Sequence, residues 1–155
     1  MKHNTFEKIR SADVRIAIVR ARFNEDITAG LLAGALEALQ EAGIPSEKVR
    51  VVEVPGSFEV PLAADRLFAA KAADAVVCLG ALIQGDTPHF EYISRACASG
   101  IMQVGLRHGK PCVFGVITCF TREQAEERSG PGDMNRGREA AKVALEMIEQ
   151  LGEIA

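Results

Sequence analysis

His89 is one of only three histidines in the chain, and it stands two residues after Thr87 and four after Gly85. The run around it, Gly80-Ala81-Leu82-Ile83-Gln84-Gly85-Asp86-Thr87-Pro88-His89-Phe90-Glu91-Tyr92, begins in an apolar segment, passes through glycine and opens a helical pattern. A strand-to-helix turn leaves the first backbone N–H groups of the helix unpaired. Together with the positive end of the helix dipole they form a site for phosphate or carboxylate. The Thr87 hydroxyl adds a donor. An imidazole beside such an anion is placed for proton transfer, and the helix start favours its neutral form. This points to chemistry on a phosphorylated small molecule. His3 and His108 have no such company.

The glycine spacing of Gly80 and Gly85 resembles a Walker A loop, but Asp86-Thr87 follows where Lys-Ser/Thr is required. With no lysine to grip outer phosphates, the nucleoside triphosphatase reading fails. A monophosphate held by backbone N–H groups and Thr87 fits better, with Asp86 pointing outward or capping the helix. Two further segments carry chemistry. Arg22-Phe23-Asn24 follows an apolar strand, where Phe23 either stacks on a flat heterocycle or staples the next helix. In Val54-Pro55-Gly56-Ser57-Phe58-Glu59-Val60-Pro61, Gly56 permits a tight turn and Ser57 is suited to cap the helix that Pro61 opens. Glu59 is suited to accept hydrogen bonds from a hydroxylated ligand.

These segments are positioned by a strict alternation of elements. Strands are expected at Val14–Arg20, Val49–Val54, Ala75–Ala81 and Pro111–Thr118. Helices are expected over Glu25–Glu41, from Pro61 to about Ala72, and from about Pro88 to His108. The last of the chain is helical around a glycine-rich break at Gly130–Gly137, with a short charged helix over Glu123–Arg128 before it. In the first helix Ile27, Leu31, Leu32, Leu36 and Leu39 make the apolar stripe. Alternating strands and helices predict a parallel sheet with right-handed crossovers, hence a three-layer α/β sandwich. The ligand crevice of such a sheet lies beyond the carboxyl ends of its strands. That gathers Ala21–Asn24, Pro55–Glu59, Leu82–His89 and Cys119–Arg122 on one edge.

With 155 residues and a net charge of −3 spread along the chain, the sequence suits one domain and carries no basic stripe for nucleic acid. No apolar run approaches the roughly 18 residues of a membrane span, and the polar start lacks a secretory signal. A cytoplasmic protein is expected. Cys78, Cys97, Cys112 and Cys119 lack disulfide or zinc spacing. Cys78 and Cys112 read as small hydrophobes in strands, and Cys119 as a packed thiol rather than a nucleophile.

Four collinear segments resemble the lumazine synthase family of riboflavin biosynthesis. They are Ala21-Arg22-Phe23-Asn24, Val54 through Pro61, Gly80 through Tyr92, and Glu127-Arg128-Ser129-Gly130 with Asn135-Arg136-Gly137. The resemblance runs from about Val14 to Ile148. It implies a flavodoxin-like four-stranded sheet in residues 14–151 of a single domain, preceded by an arm over residues 1–13. It also implies condensation of 5-amino-6-(D-ribitylamino)uracil with 3,4-dihydroxy-2-butanone 4-phosphate, with no metal or organic cofactor. Phe23, Ser57, Phe58, Glu59 and the backbone at Ala81, Leu82 and Ile83 would hold the pyrimidine and ribityl chain. Gly85, Asp86 and Thr87 would surround the phosphate, and His89 would move protons. Phe114 and Arg128 would reach in from a neighbouring subunit, onto the pyrimidine and the phosphate respectively.

The family assembles as pentamers, in many members twelve to a hollow shell, and riboflavin synthase is one partner the resemblance allows, with transfer of product to it left open. Gly130-Pro131-Gly132-Asp133-Met134 departs from the turn that shell-forming relatives usually carry. Arg136 stands where lysine is frequent and Gln84 where arginine is frequent. A pentamer is expected here; a decamer or a sixty-subunit shell is left open. The competing readings are a lumazine- or flavin-binding module, a riboflavin-forming enzyme of similar fold, and a purely structural shell protein. The phosphate site, built from Thr87, His89 and Arg128, favours the condensing enzyme over the first two; sizing and activity discriminate the third.

Overall fold

The computed structural model describes residues 13–155. Its elements alternate in the order β1 (Ile16–Ala21), α1 (Glu25–Glu41), β2 (Val49–Val54), α2 (Val60–Ala69), β3 (Ala75–Ile83), α3 (His89–His108), β4 (Cys112–Cys119), α4 (Arg122–Ser129) and α5 (Arg136–Ile154). Single 3₁₀ turns lie at Ser46–Lys48 and Ser57–Glu59. All paired strands run parallel, in the order β2-β1-β3-β4. This is the α/β sandwich the alternation predicts, with the strand order of a flavodoxin-like sheet. The order reverses between β1 and β3, so the crevice beyond their carboxyl ends is a natural ligand position. The expected arm lies outside the described residues, apart from Asp13.

Both faces of the sheet are covered, which is why β1 and β3 read as near-continuous apolar runs. Ile16, Ile18, Val77, Leu79 and Ala81 pack with α1 and α5 on one face; Ala17, Val19, Ala21, Val76 and Cys78 pack with α2 and α3 on the other. Leu36 sits outside the buried stripe of α1 and is exposed. The first turn of α5 lies directly on α1. A Cβ on Gly137 would fall 1.9 Å from the Leu31 carbonyl oxygen, and one on Gly34 would fall 2.1 Å from Asn135 Oδ1.

Two helix ends show how local chemistry sets boundaries. At α1, Gly43 takes a left-handed φ of 83°, and Ile44 and Gly43 donate back to Leu39 and Gln40. That is a Schellman motif with the glycine it prefers. At α2 the same motif is built on Lys71, with φ 54°, and Ala72 and Lys71 donate to Leu67 and Phe68. The helix therefore stops at Ala69 and not near Ala72. With no glycine at that position, the sequence carries no stop signal.

Candidate active site

Four hydrogen bonds draw the loops at the carboxyl edge of the sheet together. Beyond the last β1–β2 pair, the Arg22 N–H donates to the Val54 carbonyl at 2.8 Å and the Phe23 N–H to that of Pro55 at 3.0 Å. The Asn24 side-chain amide donates to the Ala81 carbonyl at 2.9 Å. The Gln84 N–H donates to the Cys119 carbonyl at 2.9 Å. Asn24 occupies the N-cap position of α1 with φ 60°, a left-handed conformation that asparagine tolerates well, yet its side chain makes no cap. The side chain is used across the crevice instead. Phe23, held between these ties, is 68% exposed. With so much of its ring in solvent, the helix-staple alternative fails and an open aromatic face remains.

Ser57 corrects a second expectation. It caps no helix: neither the 3₁₀ turn nor α2 has a side-chain cap. Ser57 is 4% exposed and lies against β3, where a Cβ on Gly80 would come 2.4 Å from its hydroxyl oxygen. Gly56 has φ −151°, which any residue can adopt, so the turn does not need glycine there. Pro61 does fall in the first turn of α2, as expected. Phe58 is exposed and Glu59 half-buried at the same mouth.

Gly80 lies within β3, as expected, but the strand runs on past Ala81 to Ile83, because β4 pairs it as far as Cys119. The turn is confined to 84–88. Since the N–H of Gln84 points to β4, the carbonyl of Ile83 in the same trans peptide points the other way, to the side on which Asn24 takes Ala81. Gly85, Asp86, Thr87 and His89 are all exposed, and Asp86 caps nothing. The N-cap of α3 is Pro88, whose carbonyl accepts from Glu91 at 3.0 Å and Tyr92 at 3.3 Å. The N–H groups of His89 and Phe90 thus precede the first intrahelical bond and face the loop.

Phe114 and Arg128 are not brought to this cluster. Phe114 lies mid-strand in β4, opposite Cys78, on the edge of the sheet away from β2. It lines an open groove of about 950 Å³ between α3 and α5, with Met102, Leu106, Val143 and Met147, and Arg128 and Arg136 at its rim. Arg128 donates to the Gln124 carbonyl at 3.0 Å within α4. Arg136 pairs with Glu139. The thiols of Cys78 and Cys112 lie 3.8 Å apart across β3 and β4. The Cys112 hydrogen bond and burial push Cys78 well up, and burial pushes Cys97 up to about 12. Cys119 is buried at the end of β4 and raised by that burial.

The sequence profile of the 6,7-dimethyl-8-ribityllumazine synthase family matches residues 13–152. The chain belongs to that family. Proteins named 6,7-dimethyl-8-ribityllumazine synthase in two strains of Thermus thermophilus are each 50% identical over 156 positions, spanning all of this chain and 99% of their own length. The protein of that name in Protochlamydia amoebophila is 47% identical over 142 positions, 92% of this chain and 83% of its own length. As a member of the lumazine synthase family the chain is a transferase of riboflavin biosynthesis acting on small molecules. No helix among the described residues is long and apolar enough to cross a membrane. No cluster of three or more His, Cys, Asp or Glu side chains suited to a metal occurs among them either.

Sequence reasoning about this lumazine synthase family member missed two residues. Asn135 caps α5 through Oδ1, 3.0 Å from the Arg138 N–H, while its Nδ2 reaches the carbonyls of Gly30, Ser129 and Gly130 at 2.9–3.1 Å. The Asn-Arg-Gly segment is thus an anchor for α5. Arg20, penultimate in β1, is a charge inside an apolar strand. That anomaly was visible in the sequence but not interpretable there.

Proposed function

We propose that the crevice at the β1–β3 reversal condenses 5-amino-6-(D-ribitylamino)uracil with 3,4-dihydroxy-2-butanone 4-phosphate. The product is 6,7-dimethyl-8-ribityllumazine, with release of phosphate and water. One observation supports this reading: the open aromatic face of Phe23 and the helix start at His89 follow neighbouring strands at the same carboxyl edge, tied through Asn24 to Ala81. Phe23 stacks on the pyrimidine, and Ser57, Phe58 and Glu59 hold the ribityl chain and ring substituents. The backbone at Ala81, Leu82 and Ile83 reads the pyrimidine edge, with the Ile83 carbonyl directed there. Gly85, Asp86 and Thr87 surround the phosphate, mainly through N–H groups and the Thr87 hydroxyl.

The amine attacks the ketone and expels one water to give a Schiff base, phosphate leaves by elimination, and the ring closes with loss of a second water. Each step moves protons between two reactants held together. Holding two reactants in orientation is worth roughly 7–11 kcal/mol in favourable cases, and one positioned acid–base group about 10²–10⁴-fold. His89 is that group, and binding geometry is the larger contribution.

Phe114 lies on the outer strand β4 and Arg128 lines the same groove, so both are read as serving the crevice of a neighbouring subunit. The apolar groove containing Phe114 supports such an edge-to-crevice assembly, which we propose closes as a pentamer. The same reading takes residues 1–155 as one domain with its α/β core at 14–151, working in the cytoplasm. Mixing the two substrates with purified protein tests the reaction. Lumazine absorbance and free phosphate should rise together, above the uncatalysed rate. Tight pyrimidine binding with no rise would favour a binding module.

A further inference from the structure

Arg20 is 5% exposed, a guanidinium held inside the protein at the end of β1. It continues the stripe of Ile16 and Ile18 on the face packed by α1, where an apolar residue would be expected. Its Nη2 lies 2.8 Å from Oε1 of Glu53, its register partner on β2, and 3.6 Å from Oε1 of Glu25, the first residue of α1. Its Nε is buried with no hydrogen-bond partner. A buried charge with an unsatisfied donor is costly to keep, so its position answers to something other than its own hydrogen bonding. Arg20 and Glu25 flank the segment Ala21–Asn24 in the chain, and Glu53 precedes Val54, whose carbonyl accepts from the Arg22 N–H. One guanidinium therefore links the strand end before the Phe23 loop to the first residue of α1 after it and to the end of β2 beside it. The backbone bonds of Arg22 and Phe23 tie that loop to the end of β2, but neither reaches the first turn of α1.

We infer that Arg20 is a positioning residue for the crevice's aromatic platform: clamped between Glu53 and Glu25, it sets the pose of Phe23. The kinetic part of this inference rests on the reading of Phe23 as the pyrimidine platform. The structural part does not.

The chain contains no tryptophan, so Phe23→Trp places a single indole fluorophore on the platform. Adding Arg20→Met or Glu25→Gln should lower the anisotropy of that indole and increase its quenching by acrylamide, with the far-UV spectrum unchanged. Glu25 is exposed, so its variant carries the test if Arg20→Met does not fold. In the Phe23 background, Arg20→Met should raise KM for the ribitylaminouracil about tenfold and leave that for the butanone phosphate unchanged. Arg20→Lys should recover only part, since the shorter, more strongly hydrated ammonium lacks the rigid planar guanidinium that spans to both carboxylates. Combined with Phe23→Ala, Arg20→Met should add little, because coupled residues are not additive. Unchanged indole anisotropy, or an unchanged pyrimidine KM in protein that turns it over, overturns the inference. A responsive indole in a protein whose parent never binds the pyrimidine upholds the clamp and removes the proposed function instead.

Discussion

A Cβ placed on Gly80 would lie 2.4 Å from the hydroxyl oxygen of Ser57. The glycine in β3 and the serine in the turn after β2 are therefore one fitted pair. The fit lets the Ser57–Glu59 turn lie on the strand that leads to the turn at 84–88. Gly80→Ala should destabilise the protein by about 1–3 kcal/mol through overpacking. Adding Ser57→Gly should recover most of it, because that removes the atoms the new methyl meets. Urea unfolding of both variants checks this; equal losses would show that Gly80 matters for another reason.

Asn135→Ala removes the cap of α5 and a donor to three carbonyls. The cap is worth about 1 kcal/mol, and the orphaned carbonyls raise the expected loss to about 2–4 kcal/mol. Thermal unfolding measures it. A loss under about 0.5 kcal/mol would mean that water replaces the side chain.

For the reaction itself, His89→Ala should lower kcat by about 10²–10⁴-fold while both substrates still bind. Complete loss of turnover with binding intact would contradict the division of labour between His89 and binding geometry. Arg128→Ala should raise KM for the phosphorylated ketone far more than that for the pyrimidine. Equal effects on both would make Arg128 a structural residue of α4.

Away from the crevice, Asp65 on α2 accepts from His108 Nε2 and Arg107 Nη1 of α3, each at 2.8 Å. The His108 hydrogen bond, aided by that from Arg107, holds the Asp65 carboxyl below its ordinary value of 3.8. A carboxyl lowered by folding stabilises above its ordinary value, and that stabilisation is lost as pH falls through the folded one. Asp65→Asn should therefore weaken the protein at about pH 6, and the difference should shrink as the pH falls below 3.8. Chemical unfolding across this pH range checks this; a difference that persists at the acid end would place its origin in packing.

The sequence alone determined the alternation of elements, the parallel sheet, and the loops that meet at its carboxyl edge. These follow from periodicity and turn chemistry, which are local, and from connection rules that permit few topologies. The motif residues from Phe23 to His89 were legible for the same reason: strand ends announce themselves. Only the tertiary structure decided what those residues touch. Lys71 ends α2 in a conformation that sequence assigns to glycine, because the returning chain supplies the bonds that compensate it. Gly80 reads as an ordinary strand residue until Ser57 is found lying on it, and Ser57 reads as a cap until it is found buried. Arg20 is one unexplained charge until β2 and α1 bring Glu53 and Glu25 to its guanidinium. Contacts between residues 33 or more positions apart, such as Arg20 with Glu53, leave no periodic trace, since they depend on which strands lie side by side.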